Sequence, residues 1–307
     1  MKLKALLFVA LAALLIGRVH GQADPKLSVY MFNPMVYNPA FAGAGGGLSL
    51  IGIHSSQFVG FEGAPNTQYF SAHGLWEEDG VGLGLDLLND SFGMMGESSV
   101  NANFAYYLRI SERLQFSFGM KAGANQYRMD YSRLNIQDPD EDILVADNIN
   151  VVRPNLGLGF YLFSDDFYIG ISTPGIAVTQ RHSAFEVGLR PGEASYYLMT
   201  GMLIPVSYNV TFMPNLLVRT VNGAPRSGLL SMSFDVDGDF FLGANYEYKS
   251  SVGIMAGTVF AENFKWGYAY DLPTHALGRY SKGTHTVFVS YQLERFKKAS
   301  NMPCFYY

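Results

Sequence analysis

The densest run of oxygen ligands in the chain is Asp138-Pro139-Asp140-Glu141-Asp142. Carboxylates crowded this closely suit calcium, which takes six to eight oxygens. The run lacks the spacing of a calcium loop, however, and Pro139 and Ile143 break its register. It reads as a solvated loop. Asp235-Val236-Asp237-Gly238-Asp239 offers alternate carboxylates but no glutamate at the closing position, and Asp-Gly between two alternating segments is the signal of a hairpin turn. Gly80-Val81-Gly82-Leu83-Gly84 lies within an alternating segment rather than opening a helix, so it does not cradle a dinucleotide phosphate. His20, His54, His73, His182, His275 and His285 are scattered without ligand spacing. No serine occupies a nucleophile elbow, and the single cysteine, Cys304, sits near the end of the chain. No catalytic residue, cofactor site or metal site emerges, and the chain is read as a non-enzyme.

The elements that carry these residues are more informative. The chain has 307 residues and is 49% hydrophobic. Residues 1–21 form an apolar leader with Lys2 and Lys4 ahead of it and Val19 and Gly21 at small-residue cleavage positions, the pattern of a secretory signal peptide. Its removal takes Lys2, Lys4 and Arg18, lowering the basic count from 21 to 18 against 26 acidic residues, a net charge of −8. That balance excludes a general nucleic-acid binder. One cysteine excludes an internal disulfide framework.

Beyond the leader the apolar residues alternate with polar or small ones. Val100, Ala102, Phe104, Tyr106, Leu108 and Ile110 share one face, with Asn101, Asn103, Ala105, Tyr107 and Arg109 on the other. Leu114 to Asn125 repeats the pattern, and Val287, Val289, Tyr291 and Leu293 alternate with Thr286, Phe288, Ser290 and Gln292. Period-two segments of about ten residues, apolar on one face only, are the signature of strands that cross a membrane in a closed barrel. Closure follows because every backbone N–H and C=O in lipid must be paired and only a closed sheet lacks an edge.

The pattern predicts an all-β fold, a transmembrane antiparallel β-barrel of about 14 strands. They begin near Leu48, Asn66, Gly80, Ser98, Arg113, Val151, Asp166, Glu193, Tyr208, Ser227, Asp239, Val252, Phe264 and Thr284. Links after even strands are tight, as at Ser111-Glu112 and Asp237-Gly238, whereas links after odd strands include Asp130 to Asn150, Gly175 to Gly192 and Pro273 to Gly283. Short periplasmic turns and long external loops then place both termini in the periplasm. The expected organisation is 1–21 signal peptide, 22–47 periplasmic N-terminal segment serving as plug or docking element, 48–294 barrel, and 295–307 periplasmic tail. Asp86, Arg109, Lys121 and Arg153 are expected to face the lumen, where charge is tolerated. Gly82, Gly84, Gly157 and Gly159 are expected there too, leaving room for neighbours. Twenty tyrosines and 23 phenylalanines supply aromatic girdles.

The segment ahead of the first strand carries recognisable words. Tyr30-Met31-Phe32-Asn33-Pro34 and Tyr37-Asn38-Pro39-Ala40-Phe41-Ala42-Gly43 open it, and Gly63-Ala64-Pro65-Asn66-Thr67-Gln68 follows. These resemble the opening of the PorP/SprF family, outer-membrane proteins of the type IX secretion and gliding system of Bacteroidota. The resemblance implies contacts with periplasmic and lipoprotein ring components, or with a dedicated secreted surface adhesin. It marks Tyr30, Phe32, Asn33, Pro34, Tyr37, Asn38, Pro39, Ala40, Gly43, Gly63, Ala64, Pro65, Thr67 and Gln68 as family residues and candidate partner contacts. Cys304 and Phe305 resemble the short tails of some members. The barrel alone also admits a diffusion channel or small-molecule transporter as the alternative.

Overall fold

The computed structural model describes residues 27–76, 80–131, 148–178, 189–190, 194–221, 226–260 and 263–293. The leader, the acidic run at 138–142 and the tail with Cys304 and Phe305 lie outside them. Fourteen antiparallel strands form one sheet that closes on itself. They are β1 (Leu48–Ser56), β2 (Asn66–Trp76), β3 (Val81–Phe92), β4 (Met95–Arg109), β5 (Leu114–Met129), β6 (Ile149–Ser164) and β7 (Phe167–Val178). Then come β8 (Ser195–Met202, resumed by Ile204–Pro205), β9 (Val210–Val221), β10 (Ser227–Val236), β11 (Phe240–Glu247), β12 (Ser251–Phe260), β13 (Phe264–Pro273) and β14 (Thr284–Leu293). Each strand pairs with the next, and β1 pairs with β14 from Leu48 opposite Leu293 to Ser56 opposite His285. A two-residue piece, Leu189–Arg190, pairs with the end of β7. Among the described residues no helix is long and apolar enough to cross a membrane.

The expected strand starts fall close to the observed ones. The largest difference is β4, which begins at Met95 rather than Ser98. Phe92 stands opposite Met95, and Gly93, at φ 56°, turns the chain without a longer link. At the other end of the barrel the links are two to four residues long. Asp237 and Gly238 both have positive φ, 57° and 78°, at the centre of the turn that Asp239 N closes on Val236 O at 3.1 Å. Asp235 Oδ1 also accepts from Gly238 N at 2.9 Å. The turn is thus built by the carboxylates that looked like ligands.

Parity sorts the wall. On β4, Val100, Phe104, Tyr106 and Leu108 are exposed on the outer surface, whereas Asn101, Asn103 and Ala105 are buried inside. On β14, Val287 and Val289 face out, and Thr286, Phe288 and Ser290 face in. The outward apolar face is the one that meets hydrocarbon, where it needs no hydrogen-bond partner. The strands differ in height. β4 to β6 run 15 or 16 residues, while β11 to β14 run 8 to 10.

The interior holds the segment that precedes β1. Three short 3₁₀ turns, Tyr30–Phe32, Pro34–Val36 and Pro39–Phe41, follow one another inside the ring of strands. Asn-Pro written twice explains the second and third. Asn38 (φ −131°, ψ 107°) adopts the extended backbone favoured before proline, and Asn33 (φ −149°, ψ 72°) likewise stays out of the helical region. Each proline then starts a turn where its missing N–H costs nothing. Asn38 caps its turn by accepting from Ala40 N at 3.0 Å. A 3₁₀ turn closes within three residues, so the chain can reverse repeatedly in a narrow lumen.

Candidate functional site

The lumen segment is held by groups the wall supplies. It has no strand partner, so its backbone carbonyls must be satisfied otherwise. Ser117 Oγ donates to Ala40 O at 2.7 Å, Ser172 Oγ to Tyr37 O at 2.7 Å, and Tyr107 Oη to Ala42 O at 2.9 Å. In the reverse direction Asn38 Nδ2 donates to Phe160 O at 3.0 Å, and Asn33 Nδ2 donates to Ser71 Oγ at 2.8 Å. Gly43 N donates to His73 Nδ1 at 3.2 Å, which requires the tautomer protonated on Nε2.

Wall glycines make the approach possible. A Cβ on Gly119 would fall on the Pro39–Ala40 backbone, and one on Gly82 would fall on Ala42 O. Gly159 and Gly170 flank the Asn38 amide from neighbouring strands. Gly84 makes room for Met35, whose Sδ would lie 2.7 Å from a Cβ there. Gly157 faces the Pro174 carbonyl of β7 instead, where β6 and β7 slip register.

Two side-chain clusters fix the segment at different heights. Toward the short turns, Phe32 packs against Phe288 (centroids 4.5 Å) and Phe241 (4.8 Å), with Lys265 Nζ 5.3 Å from the Phe32 ring. Farther along, Asp86 and Lys121 form a buried ion pair at 3.1 Å. Asp86 also accepts from Asn101 Nδ2 at 2.9 Å and from Asn103 Nδ2 at 2.6 Å, while Lys121 Nζ donates to Val36 O at 3.4 Å. A buried pair survives only when its remaining donors and acceptors are met, and these amides meet them.

On the long-loop side of the pair a cavity of about 230 Å³ opens. Leu27, Val36 and Tyr37 form its floor, and Asp86, Glu97, Lys121 and Arg153 are the charged side chains on its wall. Tyr37 packs against Tyr197, at 4.8 Å between centroids, and the Arg153 guanidinium lies 5.7 Å from the Tyr127 ring.

The four expected lumen charges therefore separate. Asp86 and Lys121 meet. Arg153 lines the cavity, exposed. Arg109 needs correction: it ends β4 at the short-turn rim, exposed, with Nη2 on Glu112 O at 3.3 Å, because the wall stops there. Of the family residues, Tyr30, Phe32, Asn33, Pro34, Tyr37, Asn38, Pro39, Ala40 and Gly43 are all buried in the lumen. Partner contact by these nine would need the segment to move. Gly63, Ala64 and Pro65 lie in the first long link, where Gly63 O accepts from Gly93 N at 2.7 Å and Pro65 O from Gln57 N at 2.8 Å. Thr67 donates to Asp90 at 2.6 Å inside the barrel, whereas Gln68 accepts from Asn89 at 2.7 Å outside it. Sequence reasoning missed Ser117, Ser172 and Tyr107 as bracing groups, and Phe241 and Phe288 as the aromatic seat. The visible signals were Tyr107 and Phe288, each an aromatic on an otherwise polar face.

No curated protein matches the chain. Among solved structures it is similar to the CymD monoaromatic hydrocarbon channel, at 12% identity and a TM-score of 0.51 over 89% of this chain and 95% of that one. It is also similar to the Ralstonia pickettii toluene transporter TbuX, at 11% identity and a TM-score of 0.47 over 89% and 95%. The KdgM porin gives 11% identity and a TM-score of 0.39 over 80% and 99%. CymD supports the barrel fold alone. The family model for the type IX secretion system membrane protein PorP/SprF matches residues 19–291. That match takes in the lumen segment together with nearly the whole wall, and the chain belongs to the PorP/SprF family of type IX secretion membrane proteins.

Proposed function

We propose that this protein works in the outer membrane as a non-enzymatic component of type IX secretion. It acts by contacts with periplasmic ring components or with a dedicated secreted surface protein, and serves gliding where that cargo is an adhesin. One observation carries the reading: residues 27–44 occupy the lumen, almost all of them buried, and are bonded to the wall around them. A barrel filled in this way has its working surfaces at its two ends. The short-turn end faces the periplasm by the general rule for such barrels, and the long links face out. The tail at 295–307 is a periplasmic contact in this reading.

Deletion of the gene tests it. Loss of secreted surface proteins with unchanged solute uptake is the expected outcome. Loss of uptake of one solute with normal secretion would overturn it. Capture of the tagged protein with mass spectrometry then separates ring lipoproteins from a dedicated cargo. Recovery of a periplasmic partner should fall when Ser300 to Tyr307 is deleted. The second reading, a diffusion channel, draws on the cavity beside Arg153, and it requires the lumen segment to leave its place. Single-channel recordings separate the two: the intact protein should conduct little, and a variant lacking residues 22–43 should conduct freely.

A further inference from the structure

The lumen segment has a direction. It leaves the lumen at the short-turn end, where Gly47 meets the Leu293 carbonyl and β1 begins. Its other end, Leu27, lies on the opposite side of the filling. Leu27 lines the cavity on the long-loop side, together with Tyr127 and Arg153 from the far reaches of β5 and β6. Leu27 N donates to Tyr37 Oη at 3.3 Å, a group on the same cavity floor. The next residue, Ser28, stands beside Asp271. Asp271 is near the end of β13 that leads into a long link, and it pairs with Thr284 at the start of β14.

Below Leu27 the way back is closed. Tyr30, Phe32, Met35 and Phe41 are all buried. Phe32 is wedged on Phe241 and Phe288, and Gly43 is pressed on Gly74 and Gly82. The cavity lies directly beside Leu27.

We infer that the segment is threaded through the barrel from the long-loop end. Whatever precedes Leu27 in the processed chain then emerges on the same side as the long links, opposite to the end of β14. On this inference the segment enters the lumen at the long-loop end and leaves it at the short-turn end. In the orientation of the proposed function, the N-terminal end faces the cell exterior, in position to meet a secreted protein. The threading itself does not depend on that orientation.

The test uses the full-length protein in its own cells. An epitope tag of about ten residues, inserted between Ala23 and Asp24, spans up to roughly 33–36 Å when extended, enough to clear the cavity. Two cysteines, Glu62→Cys in the first long link and Tyr208→Cys in a short turn, are each placed in a Cys304→Ser background. They report the two sides through a membrane-impermeant maleimide. The expected result is that protease added to intact cells removes the tag under the conditions in which Glu62→Cys is labelled and Tyr208→Cys is not. A tag removed only together with access to Tyr208→Cys, or protected on both sides, overturns the threading. If Glu62→Cys proves periplasmic while the tag still follows it, the threading stands and the orientation in the proposed function fails. Should the tag block assembly, Asp24→Cys replaces it: labelling with Glu62→Cys supports the threading, and labelling with Tyr208→Cys or with neither overturns it.

Discussion

The wall and the segment inside it solve the same backbone problem in opposite ways. In the wall each strand answers its neighbour, so the ladder is indifferent to most side chains and parity alone decides what faces lipid. The lumen segment has no neighbour of its own kind. Its carbonyls end on Ser117, Ser172, Tyr107 and Lys121, and its close approach depends on Gly82, Gly119, Gly159 and Gly170. The wall can therefore exist without the segment, but the segment cannot hold its shape without particular wall residues. Substitutions should separate the two regions.

The largest effect should come from the buried pair. Lys121→Met leaves Asp86 charged in the lumen with only Asn101 and Asn103 to answer it, and frees Val36 O. Breaking such a pair typically costs about 3–5 kcal/mol, whereas the double change Asp86→Asn with Lys121→Met should recover most of the loss. Urea unfolding in lipid vesicles measures both. A single change no worse than the double would mean that the pair does not brace the lumen. A wall substitution of similar bulk acts differently. Leu158 is exposed on the lipid face of β6. Leu158→Arg should cost about 2–4 kcal/mol through the bilayer alone. Conductance tells them apart, since Lys121→Met should raise it and Leu158→Arg should not.

Glycines carry the comparison to a smaller scale. Gly119→Ala places a methyl on the Pro39–Ala40 backbone and should cost about 1–3 kcal/mol, the usual range for overpacking. Gly52 lies in β1 with open space where a Cβ would go. Gly52→Ala should be neutral or stabilise by roughly 0.4–1 kcal/mol, because the unfolded chain loses freedom. Equal effects at the two sites would erase the distinction between a wall that merely twists and a wall shaped around its contents.

The same contrast governs what could be read in the residues. The wall was legible because period-two alternation is a property of consecutive residues. Val100 to Ile110 announces both faces without any partner, and turn residues such as Asp237-Gly238 mark the ends. The segment 27–47 has no period. Its Asn-Pro pairs announce turns, but its packing is set by residues more than a hundred positions away, such as Ser172 and Phe288. Asp86 and Lys121 could be assigned to the lumen by parity. That they meet each other depends on how the β3–β4 and β4–β5 ladders set their heights. The start of β4 lies three residues ahead of the expected Ser98, because a two-residue turn at Gly93-Met94 lets the strand begin at Met95.

Asparagine gives the finest test, because one side chain serves in both regions. Asn38 sits in the lumen with its amide between Gly159 and Gly170. Its oxygen caps Ala40 N and its nitrogen holds Phe160 O. Asn89 sits exposed on the outer face of β3, bonded to Gln68 at 2.7 Å and Ser98 at 3.0 Å. The hydrogen bonds are alike in number and length; the surroundings are not. Water or lipid headgroups replace the partners of Asn89, so Asn89→Ala should change stability by no more than about 0.5 kcal/mol. Asn38→Ala loses a turn cap and leaves a polar gap no solvent can fill, a cost of roughly 0.5–2 kcal/mol. The decisive reading is the conductance of Asn38→Ala: it should flicker open while the barrel stays assembled, because the amide fastens the segment to the wall and takes no part in the wall's own ladder. Steady closure at wild-type level would show that the carbonyl bonds from Ser117 and Ser172 suffice to hold the segment.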